Sequence, residues 1–477
     1  MYLTETIRQS SFNDFNQSCG IALDPKNEWV LLVNRIDWTS AEGVYRANFS
    51  ERMGRPATPF RQVLAAMMIQ KRMHLSDRAL VKAIAENPYY QYFMGLPSFQ
   101  TKCPFQSTAL VFYRKRLSAE TLMTINESIL KASTPTKEHR KEQSDSTGCL
   151  LLDATCSPSN IRYPQDFSLL NEAREKTDAM IDLMHGEDRA RGSLTKHPRT
   201  YRRILRKAHL AVAKMKKRPP KVVRSLIRKQ LFALERNIAI VKQLQDKGLR
   251  LTPRDEAVLD IITKLYAQQK EMFDKKTHRV EKRIVSISQP YLRPIVRGKA
   301  KAPVEFGAKY DVSIDEKGHA RMEKISFDPY NECTVLKDAV ERYRARTGQY
   351  PRRVLVDKIY RTRDNRAFCE ARGIMMSGKK PGRPPEDAKE KRRRAKEERN
   401  NDIDRIGVER FFSLEKRCSG AGLIMTKLAD TTLVSIALSV LVTNLFATSS
   451  SIFVLYFMDA DCVGTECHFI EFEDHAA

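Results

Sequence analysis

One segment of the chain carries acidic and basic residues whose spacing suits chemistry on phosphates. In RNNDIDRIGVERFFSLEKRCSGAGL, which begins at Arg399, the residues Arg405, Glu409 and Lys416 lie four and then seven positions apart. On a helix, at about 100° per residue, these three fall within roughly 40° of one another. One interpretation is an i,i+4 ion pair, which contributes only about 0.3–0.5 kcal/mol. The other is a metal-binding carboxylate flanked by two phosphate-binding cations, on a helix that we expect to end at Gly420 or Gly422.

Two short apolar runs elsewhere in the chain each end in an aspartate. Gly148 begins the run GCLLLD, which ends at Asp153, and Val354 begins the run VLVD, which ends at Asp357. Such runs predict buried strands that deliver a carboxylate to the end of the strand. The alternative is an aspartate that only caps the following turn, which is common.

Together, Asp153, Asp357 and Glu409 predict a metal site at one edge of a sheet. Converging carboxylates can hold a pair of Mg²⁺ ions about 3.5–4 Å apart, one activating a water or 3′-hydroxyl and the other stabilising the leaving oxygen. Mg²⁺ prefers oxygen ligands and keeps part of its water, so a few carboxylates suffice, and Mn²⁺ is an alternative ion. Four other aspartates are rivals for a place among these metal ligands: Asp166, Asp311, Asp315 and Asp364.

The composition points to a polyanionic partner. The chain of 477 residues has 84 Lys and Arg against 58 Asp and Glu, a formal net charge of +26. Nucleic acid is the first expectation for such a balance.

The 9 cysteines are scattered and form no CxxC pair. They predict reduced thiols in a cytoplasmic protein and argue against a disulfide framework or a zinc finger. The long apolar run from Thr431 to Met458 is interrupted by polar residues, so we expect a buried helix followed by a strand-like piece, and no membrane span.

The periodicity along the chain separates the elements into several parts. Residues 29–33 have a strand-like pattern, residues 57–130 a helical one, and residues 283–298 a strand pattern, followed by a hairpin with its turn at 316–318 and then a helix, a strand and a helix. This order predicts a mixed α/β sheet. The expected parts are an amino-terminal segment, 1–55; a helical, helix-turn-helix-like DNA-binding domain, 56–133; a linker, 134–147; an α/β core, 148–167 with 285–377 and 400–446; a basic helical insertion, 168–284; a basic loop, 378–399; and an atypical tail, 447–477.

Three parts have features that favour DNA binding, and each has a plainer interpretation. The short helices of residues 57–130 suit a helix-turn-helix module or an ordinary bundle. The cations of the insertion suit a phosphate-backbone surface or a solvated face. The run Lys380-Pro-Gly-Arg-Pro presents Arg383 as a minor-groove hook, or is simply part of a flexible loop.

The three carboxylate segments resemble those of the DDE transposases of bacterial insertion sequences. The similarity rests on LLLDAT at Asp153, VLVDKIYRTRDNRAFCEARGI at Asp357 and RIGVERFFSLEKRCSGAGL at Glu409, and spans roughly residues 20–446. The resemblance, to a branch that is similar to insertion sequence 5 and has a helical amino-terminal domain, implies an RNase H-like catalytic core. It also implies that the three acids are the metal-binding triad. The family pattern Tyr-x2-Arg-x3-Glu-x6-Lys is met by Arg405, Glu409 and Lys416, but Asp402 stands at its Tyr position.

The resemblance implies a Mg²⁺-dependent DNA transposase that binds terminal inverted repeats and joins their 3′-ends to target DNA. Its partners would be double-stranded DNA and further copies of itself. The DNA-binding residues would include Arg361, Arg383, Arg405 and Lys416. Two other functions stay open on the residues alone: a catalytically inactive, sequence-specific DNA-binding protein derived from a transposase, and an RNA-processing nuclease with the same metal site. The tail after residue 447 departs from the family pattern, so the sequence leaves open whether this copy is active.

Overall fold

The computed structural model describes most of the chain. It covers residues 15, 23–46, 57–132, 148–297, 303–379 and 387–460, with side chains described through residue 447. The linker expected at 134–147 and Arg383 lie outside the described residues, as does the part of the expected tail from 461 onward.

The amino-terminal part is helical. Its helices are α1 (Glu28–Val33), α2 (Trp38–Arg46), α3 (Phe60–Arg72), α4 (Asp77–Glu86), α5 (Pro88–Phe93), α6 (Ala109–Arg116) and α7 (Ala119–Ala132). Ser76 caps α4 by accepting a hydrogen bond from the Ala79 N–H, a standard helix start. The strand-like prediction for residues 29–33 is wrong, because Asn27 caps a helix there, and four of the five apolar side chains of that helix are buried. A run of five apolar residues carries too little periodicity to separate helix from strand.

The centre of the molecule is a mixed sheet, which confirms the expected α/β class. Its strands are β1 (Cys149–Pro158), β2 (Arg293–Val296), β3 (Val304–Ile314), β4 (Ala320–Ser326), β5 (Arg353–Val356) and β6 (Met375–Met376). Strand β1 is antiparallel to β3 and parallel to β5; β3 also pairs antiparallel with β2 and β4, and β5 pairs parallel with β6. The predicted turn between β3 and β4 is present, with Gly318 at φ 78°. The strand predicted over 283–298 is shorter and runs only from Arg293 to Val296.

Helices cover both faces of this sheet. Alternate residues of β1 point to opposite faces: Leu151 joins a core with α14 (Ala388–Cys418) and α15 (Ala429–Ala460), whereas Leu150 and Leu152 join a core with α12 (Leu336–Thr347) and α13 (Arg363–Glu370). We call these the α14 face and the α12 face. The core of the α14 face continues without a break into the amino-terminal helices.

The insertion forms a helical unit of its own. It consists of α8 (Asp166–Ala190), α9 (Arg202–Ala213), α10 (Pro220–Asp246) and α11 (Pro253–Asp274), with separate apolar cores between these helices. Inside it, Arg174 pairs with Asp178 at 2.5 Å, and Asn237 donates to the same carboxylate at 2.8 Å. The buried charges are therefore matched within the insertion, as buried ions must be.

Two predictions near the carboxyl-terminal end are wrong. The segment expected to be a basic loop, 378–399, is helical from Ala388 onward, because Asp387 accepts the Lys389 N–H and Glu390 pairs with Arg394 one turn later. The strand-like piece expected after the apolar helix is instead a continuation of α15, which is helical to Ala460. In the described chain, one helical segment, Ala429–Ala447, is long and apolar enough to cross a membrane, and 83% of its apolar window is buried inside the protein.

Candidate active site

Asp153 lies within β1, on the face that α14 covers. It stands opposite Val312 of β3, and it points to the same side as Leu151 because strand side chains alternate. One carboxylate oxygen accepts a hydrogen bond from the Ala154 N–H at 2.8 Å. Burial raises the pKa of Asp153 to about 6, although that hydrogen bond and the Arg405 charge oppose the shift. The aspartate is thus half-buried, with few protein partners for its charge.

Asp357 follows directly after the last residue of β5. Since Leu152 pairs with Val356 in parallel register, Asp357 is placed beside Asp153 at the next position along the two strands. It caps the 3₁₀ turn Lys358–Tyr360 by accepting the Lys358 N–H at 2.8 Å. Its side chain is 56% exposed, and its negative charge helps to raise the pKa of Asp153. The prediction that Asp153 ends its strand is wrong, because β1 continues to Pro158. Asp357 does end its strand, and the two aspartates are neighbours across β1 and β5.

Arg405 reaches this pair from α14. Its guanidinium nitrogen lies 3.7 Å from a carboxylate oxygen of Asp357, and its positive charge opposes the rise in the pKa of Asp153. The i,i+4 pair with Glu409 that the sequence allowed is not formed. Arg405 instead supplies positive charge between two aspartates that come from distant parts of the chain.

Glu409 lies one turn after Arg405 on the same helix. It is exposed and, in the described part of the chain, has neither an ion pair nor a hydrogen bond. The helix is held near β1: a Cβ added at Gly407 would lie 3.5 Å from Leu151 Cδ2, and Val408 and Phe411 are buried in the core. Glu409 therefore stands on a well-anchored turn, with its carboxylate free to bind a ligand.

The donor atoms of these three acids fit a hard divalent cation. All are carboxylate oxygens, the ligands that Mg²⁺ prefers, and two of the three side chains are exposed to incoming ions. Among the described residues, no three acidic, histidine or cysteine side chains are gathered closely enough to form a finished metal site. Asp153 and Asp357 are brought together, with Arg405 as their cation, and Glu409 stands on the neighbouring turn.

The other cations expected to bind DNA have partners within the protein. The Arg361 guanidinium donates to the carbonyl oxygen of Val356 at 2.9 Å, so it fixes the turn that follows β5. Burial and the nearby Arg405 lower the pKa of Arg361. Lys416 is half-buried, and its charge acts on Glu415 and Cys156.

Of the rival acids, three make contacts elsewhere. Asp166 pairs with Arg283 at 2.7 Å in the insertion, and Asp315 pairs with Arg321 at 2.8 Å beside the β3–β4 turn. Asp311 is fully buried on the α12 face and accepts hydrogen bonds from the Tyr330 and Tyr360 hydroxyls. The fourth, Asp364, is exposed on α13.

Sequence reasoning missed Glu332. It lies in the 3₁₀ turn Glu332–Thr334, pairs with Lys309 at 2.7 Å and raises the pKa of Asp153 through its charge. Nothing in its local sequence marks it, because its relation to Asp153 arises only from the path of the loop between β4 and α12.

Two parts of the chain match models of known protein families. A family model described as Transposase DDE domain matches residues 354–446, the part that contains Asp357, Arg405 and Glu409. A second one, described as Transposase domain (DUF772), matches residues 18–116. Both descriptions are of transposase domains, and together they support a DDE-type transposase of an insertion sequence.

Similarity over the rest of the chain is limited. A Rhizobium meliloti protein named "Uncharacterized protein ORF8 in nfe locus" is 27% identical over 165 residues, which cover 34% of this chain and 78% of that protein. No solved structure matches the chain. Asp153 lies outside both matched ranges, so its role rests on its position in the sheet.

Proposed function

We propose that this transposase cleaves DNA at the terminal inverted repeats of an insertion sequence and transfers the resulting 3′-hydroxyl ends to target DNA. The observation that supports it best is the register of β1 and β5, in which Asp153 and Asp357 stand side by side under the helix that carries Arg405 and Glu409. Two carboxylates on neighbouring parallel strands and a third on a facing helix suit two-metal phosphoryl transfer.

In this proposal Asp153, Asp357 and Glu409 hold Mg²⁺, which Mn²⁺ could replace. When bound, the metal would activate the attacking water or 3′-hydroxyl and stabilise the leaving oxygen. The chain itself contributes orientation and charge. β1 and β5 hold two carboxylates side by side, and the partial burial of Asp153 strengthens every charge interaction around it. Arg405, already 3.7 Å from Asp357, would hold a DNA phosphate beside these acids.

The DNA partner is supported by the distribution of charge. The net charge of +26 is large, and exposed cations such as Arg203, Arg206 and Lys207 line α9 of the insertion. Sequence-independent contacts of this kind supply most of the affinity for DNA. We expect the protein to act as a homo-oligomer that holds two ends together, since both ends of the element have to be processed.

The test is cleavage of a labelled duplex that carries the inverted repeat flanking the gene. Asp153→Ala, Asp357→Ala and Glu409→Ala should each lower the rate of Mg²⁺-dependent strand cleavage by at least about 1,000-fold, because each loses a metal ligand worth several kcal/mol. Binding of the same duplex in EDTA should change by less than about twofold. Asp364→Ala, which removes an exposed acid on α13, is the matched control and should cleave like the wild type.

The outcomes separate this function from its alternatives. If one of the three variants keeps wild-type cleavage, the assignment of that residue is wrong. If the wild type binds the repeat but never cleaves it with any divalent ion, the protein is an inactive DNA-binding derivative. If it cuts RNA in preference to the repeat duplex, it is an RNA nuclease.

A further inference from the structure

The first part of α14 extends beyond the folded core. From Ala388 to Asn400 nearly every side chain is exposed, and Asn401 is the first buried residue of the helix. The helix meets the sheet where Arg353 contacts Asn401 and Asp404, both at 3.1 Å. At 1.5 Å per residue, the extension before that contact is about 20 Å long. The helix that carries Glu409 thus continues outward as a charged arm.

Ion pairs within the arm use only some of its charges. Glu390 accepts hydrogen bonds from Arg393 and Arg394, each at 2.8 Å, and Arg393 also lies 3.8 Å from Glu397. These pairs support an exposed helix that would otherwise be marginal in water. They account for the helical state of the arm and leave its remaining cations without a role in the fold.

Four remaining cations form one line along the arm. Lys389, Arg392, Lys396 and Arg399 are spaced by three, four and three residues, so they fall within roughly 80° around the helix axis. All four are exposed and, among the described residues, have no ion pair. We call these four residues the basic stripe. Like charges at such spacings repel each other weakly, and a polyanion lying along the stripe would relieve that repulsion.

The same face of α14 stays accessible beyond the arm. Ile403 and Ile406 continue the line of the basic stripe and are 55% and 42% exposed, followed by the exposed Arg410. Val408 and Phe412, which bury the helix against the core, lie on the far side of the axis. A long ligand could therefore follow this face of the helix without meeting the sheet.

We propose that the basic stripe binds the phosphate backbone of DNA flanking the cleavage site. The inference rests on the proposed function for its choice of polyanion. The stripe is about 15 Å long, which corresponds to about four base-pair steps at 3.4 Å each. Glu409 lies about 120° from the stripe around the helix axis, so the DNA held by the stripe is not the phosphate being cut. The stripe anchors the duplex and sets affinity, and the acids near Arg405 set the rate.

The test compares two double variants that remove the same charge. Arg392→Gln with Lys396→Gln takes two cations from the basic stripe, whereas Arg393→Gln with Arg394→Gln takes the two cations that pair with Glu390. Glutamine keeps a high helix propensity, and circular dichroism checks that both variants fold. The affinity for the repeat duplex is measured by fluorescence anisotropy in EDTA across a range of NaCl concentrations, with an RNA duplex of the same sequence measured in parallel.

The stripe variant should bind about tenfold more weakly. Its slope of log K against log[salt] should fall by about 2, since each lost phosphate contact removes roughly 0.9 from that slope. The paired-cation variant should keep the wild-type slope. At saturating protein, the single-turnover cleavage rate of the stripe variant should stay within about twofold of wild type.

Equal slopes in the two variants would overturn the proposal, because the loss would then reflect net charge alone. Tighter stripe-dependent binding to RNA than to DNA would overturn the choice of partner. The failure of this inference is distinct from that of the proposed function. If stripe-dependent binding occurs without any cleavage, only the catalytic assignment is wrong; if cleavage occurs with no contribution from the stripe, only this inference is wrong.

Discussion

The acids of the sheet and of α14 are of two kinds, although both kinds occur on neighbouring strands and on the same helix. Asp153, Asp357 and Glu409 have few or no protein partners, and we call them the open acids. Asp311 and Glu415 are fully buried and bound by tyrosines, and we call them the closed acids. Asp311 stands opposite Ala154 in the same pair of strands, one position from Asp153. Glu415 is on the same helix as Glu409.

The closed acids are defined by the hydroxyl groups that surround them. Asp311 accepts hydrogen bonds from the Tyr330 and Tyr360 hydroxyls, the latter at 2.5 Å, and Glu415 accepts one from Tyr310 at 2.9 Å. Burial raises the pKa of Asp311 to about 6 and that of Glu415 to about 8. Both carboxylates are fully buried and accept tyrosine hydroxyls, so their contacts belong to the packed interior of the fold.

Perturbed pKa values do not separate the two kinds of acid. The pKa of Asp153 is also raised to about 6 by burial, the same value as for Asp311. What differs is the neighbourhood: Asp153 adjoins an exposed aspartate and the arginine that faces it, whereas Asp311 adjoins two tyrosines. A shifted pKa marks a candidate, and access to solvent and ligand decides whether that candidate can do chemistry.

The largest effect on stability should follow removal of a closed acid. Asp311→Ala leaves the buried hydroxyls of Tyr330 and Tyr360 without an acceptor, at about 1–3 kcal/mol each, so the free energy of unfolding should fall by about 4 kcal/mol. Asp357→Ala, which removes an open acid, should change it by less than about 1 kcal/mol. Urea denaturation followed by circular dichroism measures both. Equal losses in the two variants would remove the distinction between open and closed acids.

A smaller effect should appear as a pH dependence at Glu415. Its pKa in the folded protein, about 8, is above the ordinary value of 4.5, so the folded state binds this proton more tightly than the unfolded state does. The contribution of Glu415 to stability is therefore complete below about pH 4.5 and is lost as the pH rises through about 8. Glu415→Gln cannot titrate but can still accept the Tyr310 hydroxyl.

The measurement is the free energy of unfolding of wild type minus that of Glu415→Gln. Between pH 6 and pH 8 this difference should fall by about 2 kcal/mol. Lys71 and Lys416 carry the charges that face Glu415. Burial lowers the pKa of Lys71 to about 7, and loss of the Glu415 charge lowers that pKa further in Glu415→Gln. This shift also makes the difference between wild type and variant fall as the pH rises. A difference that is flat or rises across this range would mean that Glu415 is ionised in the folded protein.

The sequence was sufficient for the features that local chemistry determines. The two apolar runs ending in Asp153 and Asp357 form neighbouring strands, and α14 ends beside Gly420, which adopts φ 71°. The arm of α14 was also predictable in principle: Lys, Arg and Glu are good helix formers, and Glu390 precedes Arg394 by four residues. The low complexity of that segment concealed this and favoured the wrong prediction of a loop.

Features that depend on contacts between distant segments could not be predicted. The tyrosines that close Asp311 come from a loop and from the turn after β5, and the partner of Arg405 is 48 residues away from it in the chain. The sequence favoured Asp153 because it ends a short apolar run, and it left Asp311 as a rival acid. The two tyrosines that bind Asp311 became visible only in the fold.

The smallest effect should follow loss of the cation at the open acids. Arg405→Gln removes the 3.7 Å contact with Asp357, whose side chain is 56% exposed, so the free energy of unfolding should fall by less than about 1 kcal/mol. The contrasting control is Arg321→Gln, because Arg321 is 12% exposed and lies 2.8 Å from Asp315, which is 10% exposed. Breaking that buried pair should lower the free energy of unfolding by about 3 kcal/mol.

Urea denaturation of these two variants at pH 7 tests whether Arg405 is needed to hold Asp357 in place or only balances its negative charge. A small loss for Arg405→Gln would leave Asp357 free to exchange its arginine for another cation, as a metal ligand must. A loss as large as that of Arg321→Gln would mean that the contact between Arg405 and Asp357 is part of the fold. Asp357 would then belong with the closed acids. Asp153 and Glu409 would need a third oxygen donor from elsewhere, and Glu332 is an acid whose charge already acts on Asp153.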